Sequence, residues 1–224
     1  MKPTLLQDRS RVLSASWLDP FYPVLPDADW VARIVGLGAR FVQLRVKDSY
    51  PNTIRTEITR ALAVADAHGC QLVVNDYWRE AIDLGAGFVH LGQGDLAAAD
   101  LTAIKVARIK LGISTHSPQE LDDALAAEPD YVALGPIYPT KLKVMSWQPQ
   151  GLSRLGEWRA RITCPLVAIG GITAESAPDV LAAGASSAAV VTDIVSSDDP
   201  ERRTREWLAA TAPWRMLSPG CAQT

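Results

Sequence analysis

Eight short apolar runs recur along this chain, and helix-length amphipathic stretches fill the gaps between them. The runs are Phe21–Leu25, Phe41–Arg45, Leu72–Val74, Phe88–Leu91, Ile109–Ile113, Tyr131–Leu134, Leu166–Ile169 and Ala188–Val191. Runs this short and this apolar read as strands buried on both faces, the habit of parallel sheets. Several intervening segments carry helix start signals. Ser117-Pro118-Gln119-Glu120 is a capping box with proline in the first turn, and Thr173 and Asp199 can cap the helices that follow them. Gly38, Gly69, Gly85 and Gly184 fall where helices should end. Leu-Gly-Ala-Arg-Phe-Val, Leu-Gly-Ala-Gly-Phe-Val and Ala-Gly-Ala-Ser-Ser-Ala repeat one helix-to-strand turn. Eight strand–helix units in about 200 residues predict an α/β fold, a single (β/α)8 TIM barrel over residues 20–212. An N-terminal arm (1–19) and a C-terminal tail (213–224) flank it. An open doubly wound sheet is the alternative, but no G-x-G-x-x-G follows the first run.

The charge pattern narrows the partners. Net charge is −3 and the basic residues are dispersed, so no nucleic-acid face is expected. No apolar run approaches the ~20 residues of a membrane span, and Asp8, Arg9 and Arg11 break up the first segment. Cys70, Cys164 and Cys221 lack metal-ligand spacing and fit reduced thiols, so a cytoplasmic setting is expected. The sequence leaves a homo-oligomer open.

Residues 72–95 hold the sharpest chemical signal. Leu72–Val74 ends in Asn75-Asp76, Phe88–Leu91 ends in Gln93-Gly94-Asp95, and one helix-length segment closed by Gly85 lies between. Strand, crossover helix and strand make neighbouring parallel strands ~4.8 Å apart, so Asp76 and Asp95 emerge at one edge. Two carboxylates that close repel unless a proton or cation lies between them. An all-oxygen pair suits Mg²⁺ together with substrate phosphates. The plainer reading is that both aspartates cap helices.

The other strand ends supply complementary groups. Alternation sends Gln43, Arg45 and Lys47 to one side of the second strand, an anion site in otherwise apolar surroundings. Ser114 and His116 close the fifth strand; the serine can donate to a phosphate, while the histidine reads as structural or as a proton shuttle. His90 reads as structural. The sixth strand enters a long irregular connection, 135–151, carrying Thr140, Lys141, Lys143, Met145 and Trp147. Gly170-Gly171, placed before a helix expected to start at Thr173, and Thr192 after the eighth strand suit a phosphate between the last two loops. The early half, with Arg45, Lys47, Asn75, Asp76 and Asp95, thus suits a Mg²⁺-diphosphate. The late half, with Thr140, Gly171 and Thr192, suits a monophosphate. Two phosphorylated small molecules in one barrel suggest group transfer with diphosphate leaving.

These residues resemble thiamine phosphate synthase. The matching stretches are Gln-Leu-Arg-Val-Lys at 43–47, Val-Asn-Asp at 74–76, Val-His-Leu-Gly-Gln-Gly-Asp at 89–95 and Gly-Ile-Ser-Thr-His at 112–116. Tyr-Val-Ala-Leu-Gly-Pro-Ile-Tyr-Pro-Thr at 131–140, Gln-Gly-Leu at 150–152, Val-Ala-Ile-Gly-Gly-Ile at 167–172 and Ala-Val-Val-Thr at 189–192 complete the set. The resemblance implies condensation of hydroxymethylpyrimidine diphosphate with a thiazole phosphate or its carboxylated form, giving thiamine phosphate and diphosphate.

It further implies that Gln43, Leu44, Arg45, Val46, Lys47, Asn75, Ser114 and Lys143 hold the pyrimidine diphosphate. Among these, Arg45, Lys47, Ser114 and Lys143 would act on the reacting diphosphate. Asp76 and Asp95 would carry Mg²⁺, and Thr140, Lys141, Leu142, Gly171, Val191 and Thr192 would hold the thiazole phosphate. Leu142 departs from the family's second threonine and cannot make its hydrogen bond; Lys141 can compensate as a cation. Thr192 keeps the hydroxyl of the more frequent serine. A thiazole tautomerase of the same superfamily and a non-catalytic phosphate-ligand barrel are the alternatives; the first would not need both aspartates, and Leu142 is the feature favouring the second.

Overall fold

The expected runs are all strands, and they close on themselves. The computed structural model describes residues 17–47, 49–140 and 148–215. Its strands are β1 (Phe21–Leu25), β2 (Phe41–Leu44), β3 (Gln71–Asn75), β4 (Phe88–Leu91), β5 (Lys110–Thr115), β6 (Tyr131–Leu134), β7 (Leu166–Ile169) and β8 (Ser187–Val190). Each pairs in parallel with its sequence neighbours, and β8 returns to β1 with Phe21 opposite Ala188. Around them run α1 (Ala28–Val35), α2 (Pro51–Ala67), α3 (Trp78–Asp83), α4 (Gln93–Ala98) and α5 (Leu101–Val106). The ring continues with α6 (Pro118–Ala126), α7 (Gly151–Arg161), α8 (Ala177–Ala182), α9 (Thr192–Val195) and α10 (Pro200–Arg215). The fold is therefore a single (β/α)8 barrel, not an open sheet.

The largest boundary shift is in β5, which runs two residues past the apolar Ile113. Ser114 and Thr115 pair with Ala133 and Leu134. The Thr115 hydroxyl donates to Ala133 O (3.0 Å) and accepts from Trp158 Nε1 (3.1 Å), so a buried polar residue stays in the ladder at no unpaired cost.

Two cores follow from the period-2 alternation. One lies between barrel and helices, where buried Trp207 of α10 stacks on Phe21 (5.6 Å, 25°) and Trp158 of α7 is enclosed. Replacing either tryptophan by alanine would cost about 3–5 kcal/mol. The other fills the barrel, where Phe41 and Phe88, at the starts of β2 and β4, meet edge to face. Trp17 packs beneath them, 5.2 Å from Phe88 and 6.0 Å from Phe41, and Lys110 Nζ lies 5.4 Å from its ring centroid. The end of the expected arm thus plugs the amino-terminal mouth of the barrel.

The far terminus also differs from expectation. Instead of a tail beginning at 213, α10 continues through Pro213 to Arg215. A two-pronged ion pair anchors its last turn: Arg215 Nε and a terminal nitrogen each stand 2.7 Å from the carboxylate of buried Asp19, which also accepts from Phe21 N. Among the described residues, no helix is long and apolar enough to cross a membrane.

Candidate active site

The carboxyl ends of the strands surround a cavity of about 630 Å³. Its wall includes Gln43, Arg45 and Lys47 from the end of β2, Asn75 and Asp76 from β3, and Asp95 beyond β4. Ser114 of β5, Thr140 after β6, Gly171 after β7, and Val191 and Thr192 after β8 complete the expected set around the same space. Leu44 and Val46 do not reach it. Alternation turns both side chains into the barrel–helix core, where they are buried, so only their backbone remains on the site side. Lys141, Leu142 and Lys143, with Met145 and Trp147, lie outside the described residues.

Neither aspartate caps a helix. The N-cap of α3 is Tyr77 and that of α4 is Gly92; Asp95 stands inside the first turn of α4. Asp76 takes φ +67°, a left-handed conformation that aspartate tolerates better than most residues. Its N–H donates to His90 O (2.9 Å), and the next two N–H groups bond back to Asn75 and Asp76, folding β3 sharply at its end. The Asp95 carboxyl is held above its usual range by partial desolvation, then by the Asp76 charge and a hydrogen bond to Asp76. The two carboxyl groups therefore stand close enough to act on each other. Lys47 Nζ is 3.1 Å from Asp76 Oδ2, and its charge also acts on Asp95. Among the described residues no three His, Cys, Asp or Glu side chains converge as metal ligands. Two carboxylates facing an open cavity fit Mg²⁺, which takes one or two such ligands and completes its shell with water and phosphate oxygens.

Arg45 is half-buried in the cavity wall and makes no hydrogen bond or ion pair to a carboxylate among the described residues. A partly desolvated guanidinium left facing open space is poised for an anion. Asn75 stands beside it, 5 % exposed.

Beneath these groups runs a buried polar chain that the sequence did not disclose. Gln43 Nε2 donates to Tyr22 OH (2.7 Å), which lies 2.9 Å from Tyr131 OH. Tyr131 OH lies 2.9 Å from His90 Nδ1, and His90 Nε2 lies 2.8 Å from Ser114 Oγ. Burial pushes the imidazole down to about 4, with Arg45 adding to that effect and Asp76 opposing it, so His90 is neutral at pH 7. Burial raises both tyrosine hydroxyls above their ordinary value, so they stay protonated. His90 is thus structural in the sense expected, yet its partner is a cavity-lining serine. His116 bonds through Nδ1 to Glu120 Oε2 (2.8 Å), and the same oxygen accepts from His116 N (2.6 Å). The capping box at Ser117 is thereby half formed: Ser117 Oγ accepts from Glu120 N, but the Glu120 carboxylate reaches one residue further back than expected.

On the late side, Gly170 and Gly171 take φ of +96° and +69°. They do not sit at a helix N-terminus, because α8 begins only at Ala177 and Thr173 instead opens the turn before it. Close approach explains them: a Cβ on Gly171 would lie 2.6 Å from Pro139 O and 2.8 Å from Tyr138 O. The loops after β7 and β8 are locked together by Asp193. Its carboxylate accepts from Ala174 N (3.2 Å), from two Arg203 nitrogens (2.9 Å each) and from Trp207 Nε1 (2.8 Å).

Known proteins resemble this chain over most of its length. A family model described as thiamine monophosphate synthase matches residues 23–194. A thiamine-phosphate synthase of Rhizobium etli is 64% identical over 201 residues, covering 89% of this chain and 98% of the relative. One from Salmonella typhimurium is 45% identical over 189 residues, covering 84% of this chain and 90% of that one. A thiamine phosphate pyrophosphorylase from Pyrococcus furiosus shares the fold with a TM-score of 0.78 at 23% identity, covering 89% of this chain and 98% of that one. The chain belongs to the thiamine monophosphate synthase family, transferases that make thiamine phosphate.

Proposed function

We propose that this cavity joins hydroxymethylpyrimidine diphosphate to a thiazole phosphate, with the pyrimidine diphosphate held by the β2–β5 half and the thiazole phosphate by the β6–β8 half. The observation that carries this division is charge. Arg45, Lys47 and the Asp76–Asp95 pair share one arc of the barrel, whereas Gly171 and Thr192 line the opposite arc with backbone and hydroxyl groups.

In the reaction the methylene carbon–oxygen bond breaks and the diphosphate leaves with the electron pair. The lone pair of the thiazole nitrogen then forms the new carbon–nitrogen bond. Arg45 and Lys47 neutralise charge as it builds on the departing diphosphate, an electrostatic contribution that in such sites is commonly the largest. Asp76 and Asp95 would hold Mg²⁺, which supplies further charge neutralisation at the phosphate oxygens when bound. Ser114 donates to the substrate from the cavity floor, and Gln43 and Asn75 orient the ring. Gly171, Val191 and Thr192 hold the second substrate close to the reacting carbon, which is catalysis by positioning. No strong general base is needed, in keeping with a neutral His90 and a His116 tied to Glu120. Lys143 is assigned to the diphosphate, and Thr140, Lys141 and Leu142 to the thiazole phosphate, on the family resemblance. The free thiols of Cys70 and Cys164 fit a reducing, cytoplasmic setting.

Incubating the protein with both substrates and Mg²⁺ tests the reading. Thiamine phosphate and diphosphate should appear in equal amounts, and Asp95→Ala should abolish both while leaving the circular dichroism spectrum unchanged. Tautomerised thiazole without coupling would instead mark a tautomerase, and tight ligand binding without turnover a binding barrel.

A further inference from the structure

The buried chain from Gln43 to Ser114 has a direction, and the direction can be deduced. Tyr22 and Tyr131 each carry one hydroxyl proton and each have two partners. With Gln43 Nε2 donating to Tyr22, the Tyr22 proton has one acceptor among the described residues, Tyr131 OH. Tyr131 must then donate to His90 Nδ1, since its oxygen is already accepting and its own proton would otherwise be buried unpaired. A neutral imidazole that accepts at Nδ1 carries its proton at Nε2. Nε2–H therefore donates to Ser114 Oγ, and the serine keeps its own proton for the cavity. In the reversed chain, Gln43 would present its amide N–H groups and Ser114 only lone pairs.

We propose that Tyr22, Tyr131 and His90 are positioning residues that lock the Ser114 hydroxyl as a hydrogen-bond donor and Gln43 Oε1 as an acceptor on the cavity floor. The site is thereby set for a ligand that offers an acceptor to Ser114 and a donor to Gln43. A phosphate oxygen or ring nitrogen supplies the first and an exocyclic amine the second. The proposal rests on the reading of this half of the cavity as the aminopyrimidine diphosphate site. It deepens that reading by naming what sets the polarity of two contacts. The links from Gln43 to His90 are buried, with Tyr22 and Tyr131 1 % and 0 % exposed, Gln43 4 % and His90 7 %; the last link, to Ser114 on the cavity wall, is part-buried. Bulk water is thus poorly placed to reverse a buried link.

Nitrogen-15 chemical shifts of His90 in the wild-type protein test the lock without any turnover. A protonated Nε2 with an unprotonated Nδ1 is expected, and the opposite tautomer would overturn the proposal. Steady-state kinetics then test transmission through Ser114. Tyr131→Phe should raise KM for the pyrimidine diphosphate about 3- to 10-fold, the loss of roughly one neutral hydrogen bond, with kcat nearly unchanged. In a Ser114→Ala background the same change should add less than about twofold, because the two act as one unit. Tyr22→Phe, whose direct partner is Gln43, should likewise add less than about twofold in a Gln43→Ala background and serves if Tyr131→Phe does not fold. Fully additive effects would overturn the proposal. Should no thiamine phosphate form at all, the function reading fails while the tautomer measurement still decides the lock.

Discussion

Gly112 stands directly opposite Tyr131 in the β5–β6 ladder, and a Cβ on it would lie 2.0 Å from Tyr131 Cζ. On its other side, in the β4–β5 ladder, Gly112 faces His90. One missing side chain on the middle strand lets residues of two non-adjacent strands stack (5.6 Å, 25°) and hydrogen-bond across it.

Gly112→Ala should therefore be costly in two ways at once. Overpacking of a closed barrel interior costs about 1–3 kcal/mol, which urea denaturation would read. Displacing the Tyr131 ring should also raise KM for the pyrimidine diphosphate; an alanine variant with wild-type stability would contradict the packing.

Gly171→Ala should act on the other substrate. The residue sits at φ +69° and a Cβ would meet two backbone carbonyls, which cannot swing aside as a side chain can. The expected outcome is a KM for the thiazole phosphate raised about tenfold or more, equal to ~1.4 kcal/mol. KM for the pyrimidine diphosphate should change much less. Equal effects on both substrates would argue against the two-arc division.

Arg45→Ala should separate activity from stability. Removing a partly desolvated cation that has no carboxylate partner among the described residues should leave thermal stability unchanged or slightly higher. Activity should fall about a hundredfold if the guanidinium neutralises the leaving group. Arg45→Lys should recover only part of it, because an ammonium lacks the planar two-pronged donor set.

Stability should depend on pH through Glu175. Hydrogen bonds from Arg203 first, then Thr173, hold its carboxyl down at about 2, against an ordinary 4.5. A depressed folded-state value means stability present above about 4.5 and lost as pH falls toward about 2. The wild type should exceed Glu175→Gln by no more than about 1 kcal/mol at pH 7, since the Glu175 side chain is largely exposed. Urea titrations at successively lower pH should show that gap closing; a gap constant down to pH 2 would place the effect elsewhere.

Much of this molecule could be read along the chain because its determinants are local. Eight apolar runs gave eight strands, and alternation alone turned Gln43, Arg45 and Lys47 inward and Leu44 and Val46 outward. The nearness of Asp76 and Asp95 follows from one strand–helix–strand unit, and neither residue needs the rest of the barrel to meet the other. Inward-facing Tyr22 and Tyr131 were within reach of the same alternation rule, and a glycine beside a tyrosine position was the available signal. Which hydroxyl met which partner was not.

Those pairings belong to the closed barrel. Tyr22 and Tyr131 are 109 positions apart, and Asp19 and Arg215 are 196 apart. The glycine pair after β7, expected at a helix start, is instead shaped by the neighbouring 138–139 backbone pressing on it. Glu120 reached past its expected cap to His116, a choice between two nearby donors that periodicity cannot rank. Strand identity and facing are set by short-range sterics and burial, which the sequence states on its own. The polar chain under the cavity, the Trp17 plug and the lock between the last two loops exist only once closure brings distant residues within hydrogen-bonding distance, and no local pattern encodes that distance.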